Sequence, residues 1–325
     1  AAPLAGPAQL APGTHVLEAA APERATVRWP VHVRPGERRS IAFTLPRRAQ
    51  VPPGYVFIPP GTFAYGSRDP EPIRAFFGTA PMHDVETGPY LIAIHEVTYG
   101  DWIEYLEDLG EPERARRAPQ IASSSTVQAD GSLALVRHPD GVYELRFAPA
   151  GIEYRARAGE PIVYRERAVR ASQDWRRFPV SGISAEDALA YTAWLDRTGR
   201  LPRARLCTER EWERAARGVD GRTYPHGEQL APDDANVDIT YGKRDGGFGP
   251  DEVGAHPAST SMHGLADTAG NLWELTRPAS GDAYPIRGGC YYLHASDAHL
   301  ANRQEVPSSF RHLHIGFRVC ADVPP

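Results

Sequence analysis

The chain has 325 residues, and its 36 lysines and arginines against 41 aspartates and glutamates give a formal net charge of −5. This length allows one large domain with a sizeable core plus a small one. The arginines lie among glutamates rather than along one basic stripe, which argues against nucleic-acid binding, and the absence of a run of 18 apolar residues argues against membrane insertion by this chain.

The pattern of residues 1–50 predicts a small all-β module. From Gly13 the segments THVLEA and ATVRWPVHVRPGERRSIAFTLP alternate with the period of half-buried strands, and a Pro-Gly turn leads to a strand that closes on Leu45 and Pro46. This ending resembles the PEGA-type β domain of bacterial surface and signalling proteins. We expect the main domain to occupy residues 51–325.

In the first part of the main domain, the sequence predicts two strands around a turn (VFIPPGTFAYGS). An acidic and proline-containing loop to Met82 follows, and then a strand that leads into a helix. Thr98 caps this helix, and Asp101 stands three residues later as its acidic partner. The apolar face of the helix is formed by Trp102, Tyr105, Leu106 and Leu109.

Residues from about 120 to 170 alternate again, between Asp-Gly and Gly-Glu turns, and predict β-hairpins inserted into the main domain. Ser184 with Asp187 then opens an amphipathic helix that presents Ala188, Tyr191, Trp194 and Leu195. A short strand, ARLC, precedes a second helix, which Thr208 caps and which turns Trp212 and Ala215 inward.

The segment 264–289 combines five glycines with Asp267, Asn271 and Glu274 around Trp273. Hard oxygen ligands at this density are what Ca²⁺ uses in irregular loops. A hydrogen-bonded Asx and glycine turn before a buried tryptophan explains the same residues. The spacing alone leaves both interpretations open.

Nine blocks in collinear order resemble the formylglycine-generating enzyme family, also called the sulfatase-modifying factor domain. They cover roughly residues 52–322 and read FIPPGTFAYGS, HEVTYGDW, FPVSGISAEDALAYTAWL, RLCTEREWERAARG, YPHG, AN, AGNLWELT, RGGCYY and GFRVCAD. The resemblance implies an α+β fold, a variant of the C-type-lectin-like fold with little regular secondary structure.

The resemblance also implies chemistry, because the family's enzymes oxidise a substrate cysteine to formylglycine with Cu(I) held by two thiolates five residues apart. Leu293 and Ala298 occupy those two positions here, so we expect no copper, no catalytic residue and a catalytically degenerate domain. Cys290 falls where the family has the serine of its Gly-Gly-Ser block.

Two structural calcium sites follow from the resemblance. The first matches Asp267, Gly270, Leu272 and Glu274, with the glycine and leucine contributing carbonyls. The second matches Asn236 and Val237 and is completed from the Asp245 to Phe248 region, with Phe248 as the candidate ligand.

Loss of the thiolates favours a binding or sensing role over a metal-dependent oxidoreductase that uses non-thiolate ligands, such as His294, His299, His312 and His314. A variant of the binding role is a lectin-like protein whose last irregular segment is diversified. In either case we expect a peptide, protein or small acidic ligand at a surface formed by Tyr292, His294, His299, Arg303, Phe310, Arg311 and His312.

A PEGA-like module followed by this domain resembles the C-terminal extension of certain bacterial serine/threonine kinases. The chain has no kinase motifs of its own, so we expect a kinase domain upstream of Ala1. The sequence leaves the compartment open between cytoplasmic and exported. From the family fold we expect Cys207 and Cys320 to be neighbours, with or without a disulfide, and Cys290 to be buried and single.

Overall fold

A computed structural model describes residues 6, 8–126 and 129–323. The structure mixes five helices with eighteen short strands in this described part. The helices are α1 (Glu71–Phe76), α2 (Tyr99–Glu107), α3 (Glu111–Arg117), α4 (Ala185–Arg197) and α5 (Glu209–Arg217). The strands are β1 (Gly13–Ala19), β2 (Val27–Val33), β3 (Tyr55–Ile58), β4 (Gly61–Tyr65), β5 (His83–Thr87), β6 (Tyr90–Ala93), β7 (Gln120–Thr126), β8 (Ala129–Arg137), β9 (Tyr143–Phe147), β10 (Tyr154–Arg157), β11 (Ile162–Val163), β12 (Ser172–Gln173), β13 (Ala204–Leu206), β14 (Trp273–Leu275), β15 (Ala283–Arg287), β16 (Arg303–Pro307), β17 (Ile315–Gly316) and β18 (Val319–Asp322).

The central sheet of the main domain has the strand order β13-β18-β6-β3, and all of its pairs are antiparallel. Cys207 follows β13 directly, and Cys320 lies in β18. The two are joined by a disulfide with a Cα–Cα distance of 4.9 Å, while Cys290 is free and buried. The expectation for all three cysteines is therefore confirmed.

Three helices begin at the residues that the sequence indicated. Thr98, Ser184 and Thr208 are the N-caps of α2, α4 and α5, and each forms a complete capping box with the acidic residue three positions later. Helices α2 and α4 pack through their aromatic faces, where Trp102 stacks on Tyr191 with 5.2 Å between ring centroids. These contacts form the centre of the core.

A second sheet has the order β16-β15-β14-β17, and the glycine-rich loop, residues 264–272, leads into its inner strand β14. Backbone bonds fix this loop: Asn271 N donates to Asn236 O at 2.8 Å, and Gly270 N donates to Gly288 O at 2.8 Å. Asp267 and Asn271 have φ of +57° and +61°, a left-handed conformation that short polar side chains tolerate. The loop is thus held by Asn236 from a distant segment and by Gly288 from the end of the same glycine-containing segment.

The inserted segment forms an antiparallel sheet of order β10-β9-β8-β7, followed by the small β11-β12 pair, as the alternation predicted. The inner faces of its strands are buried; Leu133, Leu145 and Phe147 are each less than 5% exposed and belong to the main core. The insertion therefore packs onto the domain and does not form a separate core. The side chains of residues 122–126 and 129–130 lie outside the described part.

The N-terminal segment differs from the prediction. Strands β1 and β2 pair as a hairpin, but residues 37–45 form no strand. Val27 of β2 is fully buried in the main core, and Thr14 Oγ1 donates to Asp220 Oδ2 at 2.7 Å. An alternating segment needs a partner edge to become a strand, and here Phe43 instead packs on the ring of Trp29, 4.2 Å away.

The loop predicted between β4 and Met82 contains the short helix α1, and β5 pairs back onto β4. Within the described residues, no helix is both long and apolar enough to cross a membrane.

Candidate functional site

The two positions that the resemblance assigns to copper thiolates are part of the packed interior. Ala298 is fully buried, and its Cα lies 2.9 Å from where a side chain on Gly289 would begin. Leu293 is partly buried against the main core. The nearby Cys290 is 1% exposed, and burial raises the pKa of its thiol to about 12, so it is a neutral thiol at neutral pH.

A cavity of about 290 Å³ is lined in part by His299 and Ala301, which follow Ala298 in the chain. It lies between the loop after β4, the loop after α5 and the segment that follows Ala298, which contributes His299 and Ala301. Its remaining lining residues are Gly66, Ser67, Arg68, Asp69, Pro70, Met82, Arg217, Gly221, Arg222, Thr223 and Glu228. Apart from His299, the sequence analysis assigned none of them to a functional site.

The cavity lining carries one guanidinium that is free to meet a ligand. Arg68 is exposed and forms no hydrogen bond or ion pair within the described part of the chain. By contrast, Arg222 is paired with Asp220, and Arg217 donates to Gly66 O at 2.8 Å and lies 3.2 Å from Glu213. Arg68 is thus the cation that an acidic group entering the cavity can reach.

Two carboxylates and a histidine complete the polar lining. Asp69 accepts from Ser67 Oγ at 2.6 Å, and Glu228 accepts from Thr223 Oγ1 at 2.7 Å. Burial lowers the pKa of His299, whose ring packs edge-on against Tyr224, so the imidazole is neutral near neutral pH. The cavity therefore offers a cation, two anions and an uncharged imidazole.

The structure does not bring together all residues of the ligand-binding surface that the sequence predicted. Arg303 is paired with Glu209 at 2.6 Å and with Glu305 at 2.7 Å. Arg311 binds Asp187 at 2.8 Å and the carbonyls of residues 116 and 118. Both guanidinium groups are held by structural partners, and neither lines the cavity with His299.

The aromatic members of that predicted surface form a partly buried row. Phe310, which is 37% exposed, stacks on His312, which contacts His314, which stacks on Tyr292. Burial lowers the pKa of both His312 and His314, so both rings are neutral. His294 lies apart from the row, where it caps a 3₁₀ turn over residues 295–298.

The first predicted calcium site contains three buried carboxylates. Asp267 and Glu274 are 3% and 0% exposed, and the sequence analysis missed a third, Glu96, which is 1% exposed and has no hydrogen-bond partner on either oxygen. Burial raises the pKa of Glu96 well above its usual range, and the nearby Asp267 and Glu274 raise it further. Burial also raises the pKa of Asp267.

One cation faces these three carboxylates. Arg318 donates to both oxygens of Glu274, at 2.5 and 2.6 Å, and lies 3.8 Å from Glu96. Trp212 Nε1 also donates to Glu274 Oε2 at 2.8 Å, so protein donors engage both oxygens of Glu274, and a divalent cation here would depend on Glu96 and Asp267. Among the described residues, no three histidine, cysteine, aspartate or glutamate side chains stand at metal-binding spacing, so such a cation would also need carbonyl oxygens, as the match to Gly270 and Leu272 implies.

The second predicted calcium site does not fit a cation. The amide nitrogen of Asn236 donates to Gly249 O at 3.0 Å, and the side chain of Arg167 donates to Gly247 O and Gly249 O, each at 2.7 Å. Asp245, the acidic residue of this region, is exposed. The groups around Asn236 and Phe248 thus already face a positive charge from the protein itself.

Comparisons with known proteins agree with the architecture. The profile of the family described as "Sulfatase-modifying factor enzyme 1-like domain" matches residues 42–323. The chain is 29% identical over 323 residues to a formylglycine-generating enzyme of Thermomonospora curvata, covering 87% of this chain and 99% of that protein. It is 30% identical over 270 residues to the inactive C-alpha-formylglycine-generating enzyme 2 of Mus musculus, covering 78% and 79% of the two chains.

Similarity extends to a kinase and to solved structures. The chain is 24% identical to a serine/threonine-protein kinase of Chlamydia trachomatis, covering 82% of this chain but only 38% of the kinase. The structure of PvdO from Pseudomonas aeruginosa aligns with a TM-score of 0.56 at 24% identity, covering 82% of this chain and 94% of PvdO. The Treponema denticola variable protein 1 aligns with a TM-score of 0.55 at 18% identity, covering 82% and 94%. At these identities the structural matches describe the fold.

Proposed function

Since this chain belongs to the sulfatase-modifying factor enzyme 1-like family, we propose that it is a non-catalytic member that recognises a peptide with an acidic side chain. The observation that carries the proposal is the packing of apolar side chains at both positions where the resemblance places copper thiolates. Ala298 is fully buried and Leu293 partly so. Neither side chain has a donor atom, so neither can bind Cu(I).

The cavity lined by Arg68 and His299 is the proposed recognition site. Arg68 offers an unpaired guanidinium, which suits a carboxylate because its planar fork of donors matches two oxygens at once. Asp69 and Glu228 have spare acceptor capacity for the N–H groups of a peptide backbone. A volume of about 290 Å³ suits one or two side chains rather than a whole domain.

A structural calcium ion supports this proposed role without taking part in it. Asp267 and the orphaned Glu96 would hold it together with carbonyls of the glycine-rich loop, while Glu274 stays paired with Arg318. The ion would offset their buried negative charge and fix the loop below Trp273. No such role follows for the region of Asn236.

We further propose that the domain provides recognition to a longer signalling protein with a kinase upstream. Its similarity to a kinase of which it spans 38% supports this arrangement. Immunoblotting of the native host with an antibody against the domain tests it. A product of only 325 residues would contradict it.

Two measurements test the non-catalytic assignment. We expect copper-loaded protein to leave a Cys-Xaa-Pro-Xaa-Arg peptide unchanged by mass spectrometry, and we expect the wild type to bind no Cu(I) in competition with a chromogenic chelator. The L293C/A298C variant is the matched control, because it restores a thiol at both positions. Formation of the aldehyde by the wild type would refute the assignment and favour the oxidoreductase alternative.

A peptide-library screen tests the recognition site. We expect the selected peptides to be acidic and the R68A/H299A variant to lose at least tenfold in affinity for them. The F310A variant is the control, since Phe310 is exposed and lies outside the cavity lining. Peptides that bind wild type and R68A/H299A equally, but not F310A, would move the site to the aromatic row.

A further inference from the structure

Arg167 carries a buried guanidinium at the end of the inserted segment. The side chain is fully buried, and each of its three nitrogens has a partner: Nε and Nη2 donate to the carbonyls of Gly247 and Gly249, and Nη1 donates to Asp251 Oδ1 at 2.5 Å. All of these acceptors lie within five consecutive residues. They therefore curve around one positive charge.

Two tyrosine rings cover the faces of the same guanidinium. The carbon at its centre lies 3.5 Å from the centroid of the Tyr164 ring and 3.8 Å from that of Tyr241. Aromatic faces attract a cation most strongly where water is excluded. The planar shape of arginine allows stacking and three in-plane hydrogen bonds at once, which an ammonium group cannot combine.

The acceptors of Arg167 coincide with the region to which the family resemblance assigns a second calcium ion. Asn236, the side-chain ligand in that assignment, shares the Gly249 carbonyl with Arg167, at 3.0 and 2.7 Å. Its amide nitrogen, rather than its oxygen, faces this carbonyl and Asn271 Oδ1. The carboxylate of the region, Asp245, lies in an exposed turn.

We propose that Arg167 replaces the second cation of this fold, so that residues 245–251 are held by a guanidinium of the chain itself and bind no calcium. Arg167 belongs to the stretch, about 120–170, in which the sequence shows no block of the family. The insertion and the loss of the second calcium site are thus linked, because the inserted segment supplies the positive charge that residues 245–251 would otherwise take from a calcium ion.

The buried surroundings of Arg167 agree with one internal charge rather than a divalent ion. Asp251 is the carboxylate that pairs with it, and Asp251 also accepts from Tyr241 and from His256 Nε2, at 2.6 and 2.7 Å. Gln173 donates to Asp251 Oδ1 as well. Every oxygen of Asp251 is therefore engaged by protein donors, which leaves it no position for a metal.

Counting bound calcium in the D267N variant tests the proposal. Asp267 belongs to the first predicted site, so any calcium that the variant retains must lie elsewhere. After equilibration with calcium chloride and removal of the excess, we expect native mass spectrometry to show no calcium on D267N and at most one ion on the wild type. A second ion on the wild type, or one ion retained by D267N, would overturn the proposal.

A stability comparison provides the independent measurement. Arg165, two residues away, is exposed, and its guanidinium lies 5.8 Å from the ring of Tyr154, whose hydroxyl accepts a bond from the backbone N–H of Arg165. We expect R167M to lower the Tm by several degrees in saturating calcium and R165M to leave it unchanged. A Tm of R167M equal to that of the wild type would show that the guanidinium does not hold the loop, and the proposal would fail even if the calcium counts agreed with it.

Discussion

The disulfide between Cys207 and Cys320 should supply a large part of the stability of this domain. It joins residues 113 positions apart, so it restricts the unfolded chain strongly. The loop-closure entropy for that separation corresponds to about 4.8 kcal/mol at 25 °C. Because a domain of this kind has about 5–15 kcal/mol of total stability, reduction should remove a third of it or more. For a cooperative unit of this size, the Tm should fall by about 7 °C.

Urea denaturation of the oxidised and the reduced wild type measures this term directly, because both forms keep the two sulfur atoms. The C207A/C320A variant adds the loss of packing, since both cysteines are fully buried. The C290A variant keeps the bond, so reductant should lower its stability by the same amount as that of the wild type, whereas C207A/C320A should not respond. A difference below about 1 kcal/mol between oxidised and reduced wild type would refute the loop-entropy reasoning.

Three further outcomes are expected. R318M should lower the free energy of unfolding by about 3–5 kcal/mol in urea titrations, since it leaves the Glu274 carboxylate buried and unpaired; an effect under about 1 kcal/mol would contradict this pairing. Trp102→Ala should cost about 3–5 kcal/mol in the same assay, because the ring is fully buried, and a loss no greater than that of an exposed residue would contradict its central place. Burial raises the pKa of Asp251, but Arg167 and the His256 bond outweigh it and lower this pKa from 3.8 to about 2. The stability that the ionised Asp251 contributes is therefore present above pH 3.8 and is lost as the pH falls toward 2. Burial alone would lower the pKa of His256, but the Asp251 bond raises it above 6.5, so the stability difference between wild type and H256Q should be largest below pH 6.5 and shrink as the pH rises; a difference that grows with pH would have the wrong sign.

Short-range signals in the sequence located three of the five helices in the described residues and missed the short α1 and α3. A capping box requires only two side chains three positions apart, so Thr98, Ser184 and Thr208 each determine a helix start without help from the rest of the chain. Alternation likewise predicted the inserted hairpins. It failed for residues 37–45, which form no strand and instead place Phe43 against the ring of Trp29 in β2.

Features that depend on distant partners could not be predicted. The sequence analysis assigned Arg303 and Arg311 to ligand recognition. In the structure they form ion pairs with Glu209 and Asp187, each more than 90 positions away. The same limit hid Glu96, whose burial beside Asp267 depends on the tertiary fold. Arg68 gave no local signal, because an unpaired arginine has the same sequence appearance as a paired one.

The order of strands in the central sheet has a consequence for biosynthesis. Strand β18 lies between β13 and β6, yet β6 ends at Ala93 and β18 begins at Val319. At about 5–20 residues per second, a ribosome needs roughly 10 to 45 seconds to pass from one to the other. Throughout that interval β6 has β3 on one side and an open apolar edge on the other. The central sheet can therefore reach its full strand order only after β18 has been synthesised.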